Sequence, residues 1–400
     1  MKRSHYLFGV CTAAGVSLLN SGAISAYGDP QVVDHVPVER LIKNLNVLAA
    51  SDPTLKGSTE FRIARLYSIA YFRADSKVPT YQKQAEIDKI YSLDILDSVA
   101  FEDHAGVENC WVDYRQLGPK PIRSGRESTP LLQKAIEHYR LAVKIRPDDY
   151  DARLGLAWCL CQAGQKNDAI PILREIVSKH TEMPPVVAQF LKSEPEQVTE
   201  RAYEATQYLI PLLDPKKDGF ELFKLNSFRK PNYPSRFITP IVVPLEDNLP
   251  LEQIVQPALV KFDLGYGQRQ YSSWPTPKAG WLVYDKAGNG DIKTGYQLFG
   301  SFSFFVFWDN GYQALGALDD NQDGKISGSE LEHLALWQDT NGDGKSEKSE
   351  VHPLSDYGIK ALSYCGYNSF EGGLRNKNGV IFDSGKTRET YDVILNEVEH

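Results

Sequence analysis

The sequence predicts a multidomain chain with an all-α N-terminal half and an α+β C-terminal half. Three observations carry that reading. Apolar residues recur at helical spacing in segments between Val36 and Leu213. Prolines then crowd the chain at Pro231, Pro234, Pro240, Pro244 and Pro250, and β-prone runs follow. The third is an acidic, glycine-rich stretch, Asp319 to Glu350, around which the C-terminal half is organised. The expected divisions are a leader at 1–28, an N-terminal helical region at 29–129 and a helical repeat region at 130–225. A Pro-rich linker with first strands follows at 226–279, and a cation-binding domain at 280–400.

Lys2 and Arg3 precede a mostly apolar run from Tyr6 to Leu19, and small residues follow at Ala23, Ser25, Ala26 and Gly28. That order is a secretory signal peptide. The apolar run falls short of the ~20 residues a membrane-spanning helix needs. The mature chain is therefore expected to be secreted or periplasmic, with no transmembrane segment. It keeps Cys110, Cys159, Cys161 and Cys365. Four cysteines allow three pairings, and free thiols are equally compatible. Cys159 and Cys161 point to different sides of a helix, so they do not bond to each other.

Leu41, Leu45 and Leu48 mark a first helix, which Ser51-Asp52-Pro53 ends. Ala64, Tyr67 and Tyr71 mark a second, and a third is expected over 81–97. From Phe101 to Thr129 the chain is irregular. Ala135, Tyr139, Ala142 and Pro147, then Leu156, Ala157, Leu160, Gly164, Ala169, Leu173 and Ile176, restore a strict pattern. Small residues stand where helices touch, large ones between them, and Ala135 and Ala169 are 34 residues apart. This stretch resembles the tetratricopeptide repeat, over about one and a half units. The resemblance implies a protein-contact surface and an unidentified protein partner. The N-terminal helices and Val198 to Leu213 must cover the faces that so few repeats leave open.

In the C-terminal half, Ile238 to Pro244 reads as a first strand. D-D-N-Q-D-G-K-I-S-G-S-E then places Asp319, Asn321, Asp323 and Glu330 at loop positions 1, 3, 5 and 12. Gly324 is at position 6, where a sharp turn needs φ > 0, and Lys325 offers its carbonyl at position 7. Calcium takes six to eight hard oxygens, so alternate side chains must turn inward; this is an EF-hand loop. D-T-N-G-D-G-K-S-E-K-S-E repeats the set 20 residues later with Asp339, Asn341, Asp343, the Lys345 carbonyl and Glu350. Glu347 would contribute at position 9. Ser346 replaces the usual aliphatic residue at position 8, which weakens β-pairing there. Two calcium ions are expected. Only Leu331 to Gln338 separate the loops, and Leu331, Leu334 and Ala335 share one helical face, so a short helix with a loop at each end is expected. Asp285 to Tyr296 reads as a decayed third loop. Ala287 removes a ligand, and position 12 is Tyr296 with Gln297 beside it.

Over Gly280 to Leu362 the chain is similar to the EF-hand-type calcium region of large secreted bacterial proteins, including haemolysin-type and iron-regulated exoproteins. The carrying residues are W-L-V-Y-D…G-N-G-D-I-K-T-G-Y-Q-L-F-G, N-G-Y-Q-A-L-G-A-L-D-D-N-Q-D-G and L-A-L-W-Q-D-T-N-G-D-G. The resemblance implies calcium-supported folding outside the cytoplasm. The aromatic run Tyr296 to Trp308 is expected to be core beneath the loops, and Val380 to Asp383 with Thr390 to Leu395 a closing hairpin about Ser384-Gly385-Lys386.

The net charge of −8 argues against a nucleic-acid partner. From Trp281 to Asp356 stand 13 acidic and 5 basic residues, an excess as large as that of the whole chain. There is no G-x-S-x-G and no H-E-x-x-H, and Gly385-Lys386-Thr387 lacks the first glycine of a phosphate loop. The expected function is therefore non-enzymatic: an exported protein in which calcium is structural. The alternative is a calcium-dependent hydrolase or lectin acting on carbohydrate or lipid.

Overall fold

The computed structural model describes residues 35–73, 77–79, 130–180, 200–226, 228, 239–263, 268–285, 288–370 and 372–395. The leader, the helix expected over 81–97, the 101–129 stretch with Cys110, and Pro231 and Pro234 lie outside the described residues.

β1 (His35–Pro37) and β2 (Lys77–Pro79) form a short antiparallel ladder. Between them run α1 (Val38–Ser51) and α2 (Lys56–Arg73). α1 buries Val38, Leu41, Ile42 and Leu45. It stops at Asp52, whose carboxylate turns to the Thr54 amide at 2.9 Å and opens a 3₁₀ turn. The repeat-like pattern becomes α3 (Pro130–Ile145), α4 (Tyr150–Gln162) and α5 (Lys166–His180). Gly164 joins α4 to α5 at φ +73°, a left-handed conformation that favours glycine. Gly155 faces the Tyr139 ring so closely that a Cβ there would lie 2.4 Å from it. That is the small-against-large contact the spacing predicts. α2 packs on α3, and α6 (Glu200–Leu209) on α4 and α5, so neighbours do cover the open faces. α7 (Gly219–Leu225) ends the helical half.

The C-terminal half is β-rich. Its strands are β3 (Ile241–Pro244), β4 (Val255–Asp263), β5 (Gln268–Pro275), β6 (Ala279–Tyr284), β7 (Lys325–Ser327), β8 (Leu334–Trp337), β9 (Val351–Pro353), β10 (Ile359–Ser363), β11 (Asn368–Phe370), β12 (Gly373–Phe382) and β13 (Thr387–Val393). One antiparallel sheet runs β7-β10-β12-β13-β3-β6-β8-β9, with β11 beside β12; β4 and β5 form a separate hairpin. The closing hairpin is β12–β13. α8 (Gly311–Gly316) precedes the first acidic loop.

The segment between the two acidic loops is not a helix. It is strand β8, paired with β6 and β9, and all four of its residues are buried. A helix on the surface needs a solvated face, and Leu334-Ala335-Leu336-Trp337 has none. A short apolar run fits a buried strand as well as one helical face, and burial on both sides selects the strand.

Phe299, Phe302, Phe304, Phe305, Phe307 and Trp308 are buried, as expected of core. They lie where the helical half meets the sheet. Phe304 and Phe305 take left-handed φ of +62° and +57°. Two buried arginines of α2 accompany that irregular backbone. Arg62 Nε donates to the Phe307 carbonyl at 3.0 Å and Arg65 Nε to the Phe305 carbonyl at 2.6 Å. The Arg65 guanidinium also sits 3.7 Å over the Phe307 ring. Carbonyls buried away from water need such donors. Among the described residues Cys159, Cys161 and Cys365 form no disulfide. Burial pushes the Cys159 thiol up to about 12.

Candidate functional site

The two acidic loops fold alike and share most of their bonds. In the first, Asp319 Oδ1 accepts the Gln322 amide at 2.6 Å and the Asp323 amide at 3.3 Å. Its Oδ2 accepts the Gly324 amide at 2.9 Å. Asn321 Oδ1 accepts the Asp323 amide and Asp323 Oδ1 the Lys325 amide, at 2.9 and 3.2 Å. Glu330 closes the loop from the other side. Its Oε1 accepts the Asp320 and Asn321 amides at 2.7 and 3.0 Å, and its Oε2 the Ser327 amide at 2.9 Å.

The second loop repeats this. Asp339 accepts the Gly342, Asp343 and Gly344 amides at 2.8, 3.2 and 2.9 Å. Asn341 accepts the Asp343 amide and Asp343 the Lys345 amide, at 3.0 and 2.8 Å. Glu350 Oε1 accepts the Thr340 amide and hydroxyl at 2.8 and 2.7 Å, and Oε2 the Glu347 amide at 3.4 Å. Gly324 and Gly344 take φ of +83° and +72°, as position 6 requires.

The backbone thus fixes carboxylates and amides that free side chains would leave mobile. Asp319, Glu330, Asp339 and Glu350 are 2%, 4%, 3% and 3% exposed. No Lys, Arg or His among the described residues pairs with any of the four. Burial holds the Asp339 carboxyl above its ordinary range, against the pull of its amide donors. The donor set is hard oxygen throughout, which fits calcium and not a thiolate- or imidazole-seeking metal. Among the described residues, no three His, Cys, Asp or Glu side chains gather into a coordination cluster. Each carboxylate is drawn instead to its own amides.

Four features escape a reading by ligand spacing alone. Each position-1 aspartate takes one bond from an aromatic side chain outside its loop. Tyr364 Oη donates to Asp319 Oδ2 and Trp274 Nε1 to Asp339 Oδ2, both at 2.7 Å. Secondly, Asp320, a non-ligand position, holds α1. Arg40 Nε reaches both its oxygens at 2.9 and 3.0 Å, Asn44 Nδ2 one of them at 2.9 Å, and Lys43 Nζ its carbonyl at 2.9 Å. Thirdly, the decayed loop keeps the architecture. Asp285 Oδ2 accepts the Gly290 amide at 2.8 Å, and Gln297 Oε1 accepts the Lys293 and Thr294 amides at 2.8 and 3.3 Å. A neutral amide therefore stands where Glu330 and Glu350 stand, one residue later in register. Fourthly, no strand forms at Ser346, where the first loop has β7, and a side-chain link stands in its place. The Ser346 hydroxyl accepts the Ile292 amide at 2.7 Å and donates to the Ile292 carbonyl at 3.1 Å, joining the second loop to the decayed one. Ile326 pairs instead with Leu362 in β10.

A cavity of about 270 Å³ lies at the seam of the two halves, lined among others by Arg62, Arg146, Asp149, Trp308 and Asp309. Its charges are paired: Arg62 binds Asp309 at 3.0 Å, Arg146 binds Asp149 at 3.3 Å, and Asp151 is held by Arg201.

Two family descriptions match the chain. A tetratricopeptide repeat matches residues 132–191, over α3 to α5, and an SPM domain matches residues 245–396, over both acidic loops and most of the sheet. The iron-regulated protein FrpA of Neisseria meningitidis serogroup C is 36% identical over 127 residues, 30% of this chain and 11% of that protein. The likeness to iron-regulated proteins read from the sequence is met there, across about a tenth of the relative's length. No described helix is long and apolar enough to cross a membrane.

Proposed function

We propose that the protein is an exported calcium-binding protein whose helical half engages a partner protein, with calcium structural rather than catalytic. One observation carries the reading. Four carboxylates are buried in pairs within two similarly bonded loops, and no basic side chain among the described residues pairs with them. A buried charge demands a partner, and the loops bring oxygen donors only.

Asp319, Asn321, Asp323, the Lys325 carbonyl and Glu330 would hold one ion. Asp339, Asn341, Asp343, the Lys345 carbonyl and Glu350 would hold the other. Bound calcium would supply the positive charge that the buried carboxylates lack. The Asp285 loop closes on the neutral Gln297 and so has less charge to compensate, which argues for two ions rather than three. The loops are EF-hand-like in their ligand spacing but lie among strands, not between paired helices. Export is supported by the basic and apolar leader. A protein partner is supported by the tetratricopeptide-repeat match.

Calorimetric titration of the full chain tests the central claim, with about two calcium ions bound per chain expected. Binding to the folded state alone adds about 2.7 kcal/mol per site at a hundredfold excess over Kd. In a chain of this size, two sites raise the melting point over that in chelator by roughly 5–10 °C. No binding heat, together with a shift of a degree or less, would overturn the proposal.

A further inference from the structure

We propose that the corner formed by α7 and the turn before it docks on anionic lipid. Leu225 of α7 is buried and Leu222 is half-buried, whereas Phe220 and Phe223 point away from the protein. They are 85% and 77% exposed, more than any other large aliphatic or phenyl side chain described; Leu259 follows at 69%. Residues three apart lie on one helix face, so the two rings form one small apolar patch. Folding gains nothing from leaving them in water.

Charge decides what the patch meets. Lys216, Lys217 and Lys224 are exposed around it. Of the acidic residues of the same corner, Glu221 and Asp218 bind Arg174, at 2.6 and 3.4 Å, which leaves Asp214 alone exposed against the three lysines. The outward charge is therefore basic, in a chain whose net charge is −8. Charges beyond ~8–10 Å are largely screened at physiological salt, so the local balance governs close approach.

Area separates a membrane from a protein partner. Two phenyl rings bury on the order of 300–400 Å², well short of the ~800 Å² per partner of a stable protein interface. A lipid surface asks for less: apolar side chains at the acyl boundary, with lysines above them at the headgroups. The corner has that layout.

The test is co-sedimentation of the full chain with phosphatidylcholine vesicles, with and without phosphatidylglycerol, in calcium and in chelator. The apolar Tyr6–Leu19 run would itself bind lipid, so the readout is the difference between variants sharing that N-terminus. Phe220→Ser/Phe223→Ser is expected to lose about a hundredfold in partitioning, about tenfold per ring. Lys216→Gln/Lys217→Gln should lose about tenfold or more on the anionic vesicles alone. Phe220→Trp/Phe223→Trp should retain binding, and unchanged melting of every variant shows that the fold is intact. Equal partitioning of wild type and the double serine variant overturns the proposal and leaves the rings to a protein partner. Independence from phosphatidylglycerol overturns its choice of anionic lipid. Neither result bears on calcium binding, which is measured separately.

Discussion

The two acidic loops are nearly identical inside and opposite outside. Asp319–Glu330 faces the helical half. Its Asp320 is gripped by Arg40, Lys43 and Asn44 of α1, and its Asp319 by Tyr364. Asp339–Glu350 faces the sheet's own additions. Its Asp339 is bound by Trp274 of the β4–β5 hairpin, and Ser346 joins it to the decayed loop. A Cβ on Gly344 would lie 2.4 Å from Val260 of that hairpin. The same twelve-residue device thus fastens two different structures. The ligand pattern specifies the loop, and the residues between and around the ligands specify what it holds.

Replacing each position-1 aspartate should separate those two jobs. Asp319 and Asp339 each accept three amides and one aromatic donor. Stranding several buried donors costs roughly 3–5 kcal/mol. Hydrogen exchange in calcium should show Asp319→Ala loosening α1 while β4–β5 stays protected, and Asp339→Ala doing the reverse. If each variant loosened both regions equally, the loops would form a single unit and the contrast would disappear.

A buried carboxyl outside the loops supplies a second comparison. Asp392 in β13 is 2% exposed, and the Gly311 amide is its backbone donor, where each loop aspartate has three. Burial dominates and pushes its carboxyl up to about 7. The folded state therefore keeps a proton that the unfolded chain sheds near pH 4. Stability from this group is complete below that pH, falls as pH rises toward 7, and levels off above it. At 1.36 kcal/mol per pH unit the loss amounts to about 4 kcal/mol. Denaturant melts in chelator should show that decline, and Asp392→Asn should flatten it. An unchanged profile in the variant would assign the slope elsewhere.

The legible parts of the fold were those set by local spacing. α1, α2 and the repeat-like α3 to α5 follow from apolar periodicity, and the loop ligands follow from oxygen donors at alternating positions. The illegible parts depended on burial from both sides or on distant partners. β8 read as one helical face because Leu331, Leu334 and Ala335 have that spacing. Only its neighbours β6 and β9 show that no face is solvated. Gln297 lies one place beyond position 12, yet its amide oxygen accepts the Lys293 and Thr294 amides, the part of the closing carboxylate's bonding that lies beside it in the chain. Tyr364 and Trp274 lie 45 and 65 residues from the aspartates they bind, and nothing in either segment marks them. Arg62 and Arg65 did leave a trace: two arginines three apart inside an apolar helix pattern.

A milder variant tests whether the first loop holds α1 through Asp320 alone. Asp320→Ala removes no ligand, so the calcium count should stay at that of wild type. It frees a half-exposed ion pair with Arg40 and leaves the buried Asn44 amide one acceptor short. Solvent screening discounts the first effect, and the total should be about 1–2 kcal/mol. Exchange should rise in α1 and leave β4–β5 unchanged. If α1 remained as protected as in wild type, the docking would belong to the apolar face of that helix, not to the loop.

The smallest expected effect bears on position 4, where the loops differ in backbone cost. Position 4 is left-handed in all three. Gly288 and Gly342 fill it at φ +61° and +69° in the decayed and second loops, whereas Gln322 fills it at +66° in the first. A side chain in that conformation costs roughly 1 kcal/mol or more. Glycine escapes the strain but loses more freedom on folding, by about 0.5–1 kcal/mol. Gln322 is exposed and its amide bond to Asp319 is made by the backbone, so glycine keeps every contact. Gln322→Gly should therefore stabilise the protein by about 0.5 kcal/mol, the balance of those two terms. The reciprocal change, Gly342→Gln, should destabilise it by a similar amount. Denaturant midpoints read both. A loss of stability in Gln322→Gly would mean that the long side chain supports the loop in a way its exposure does not reveal.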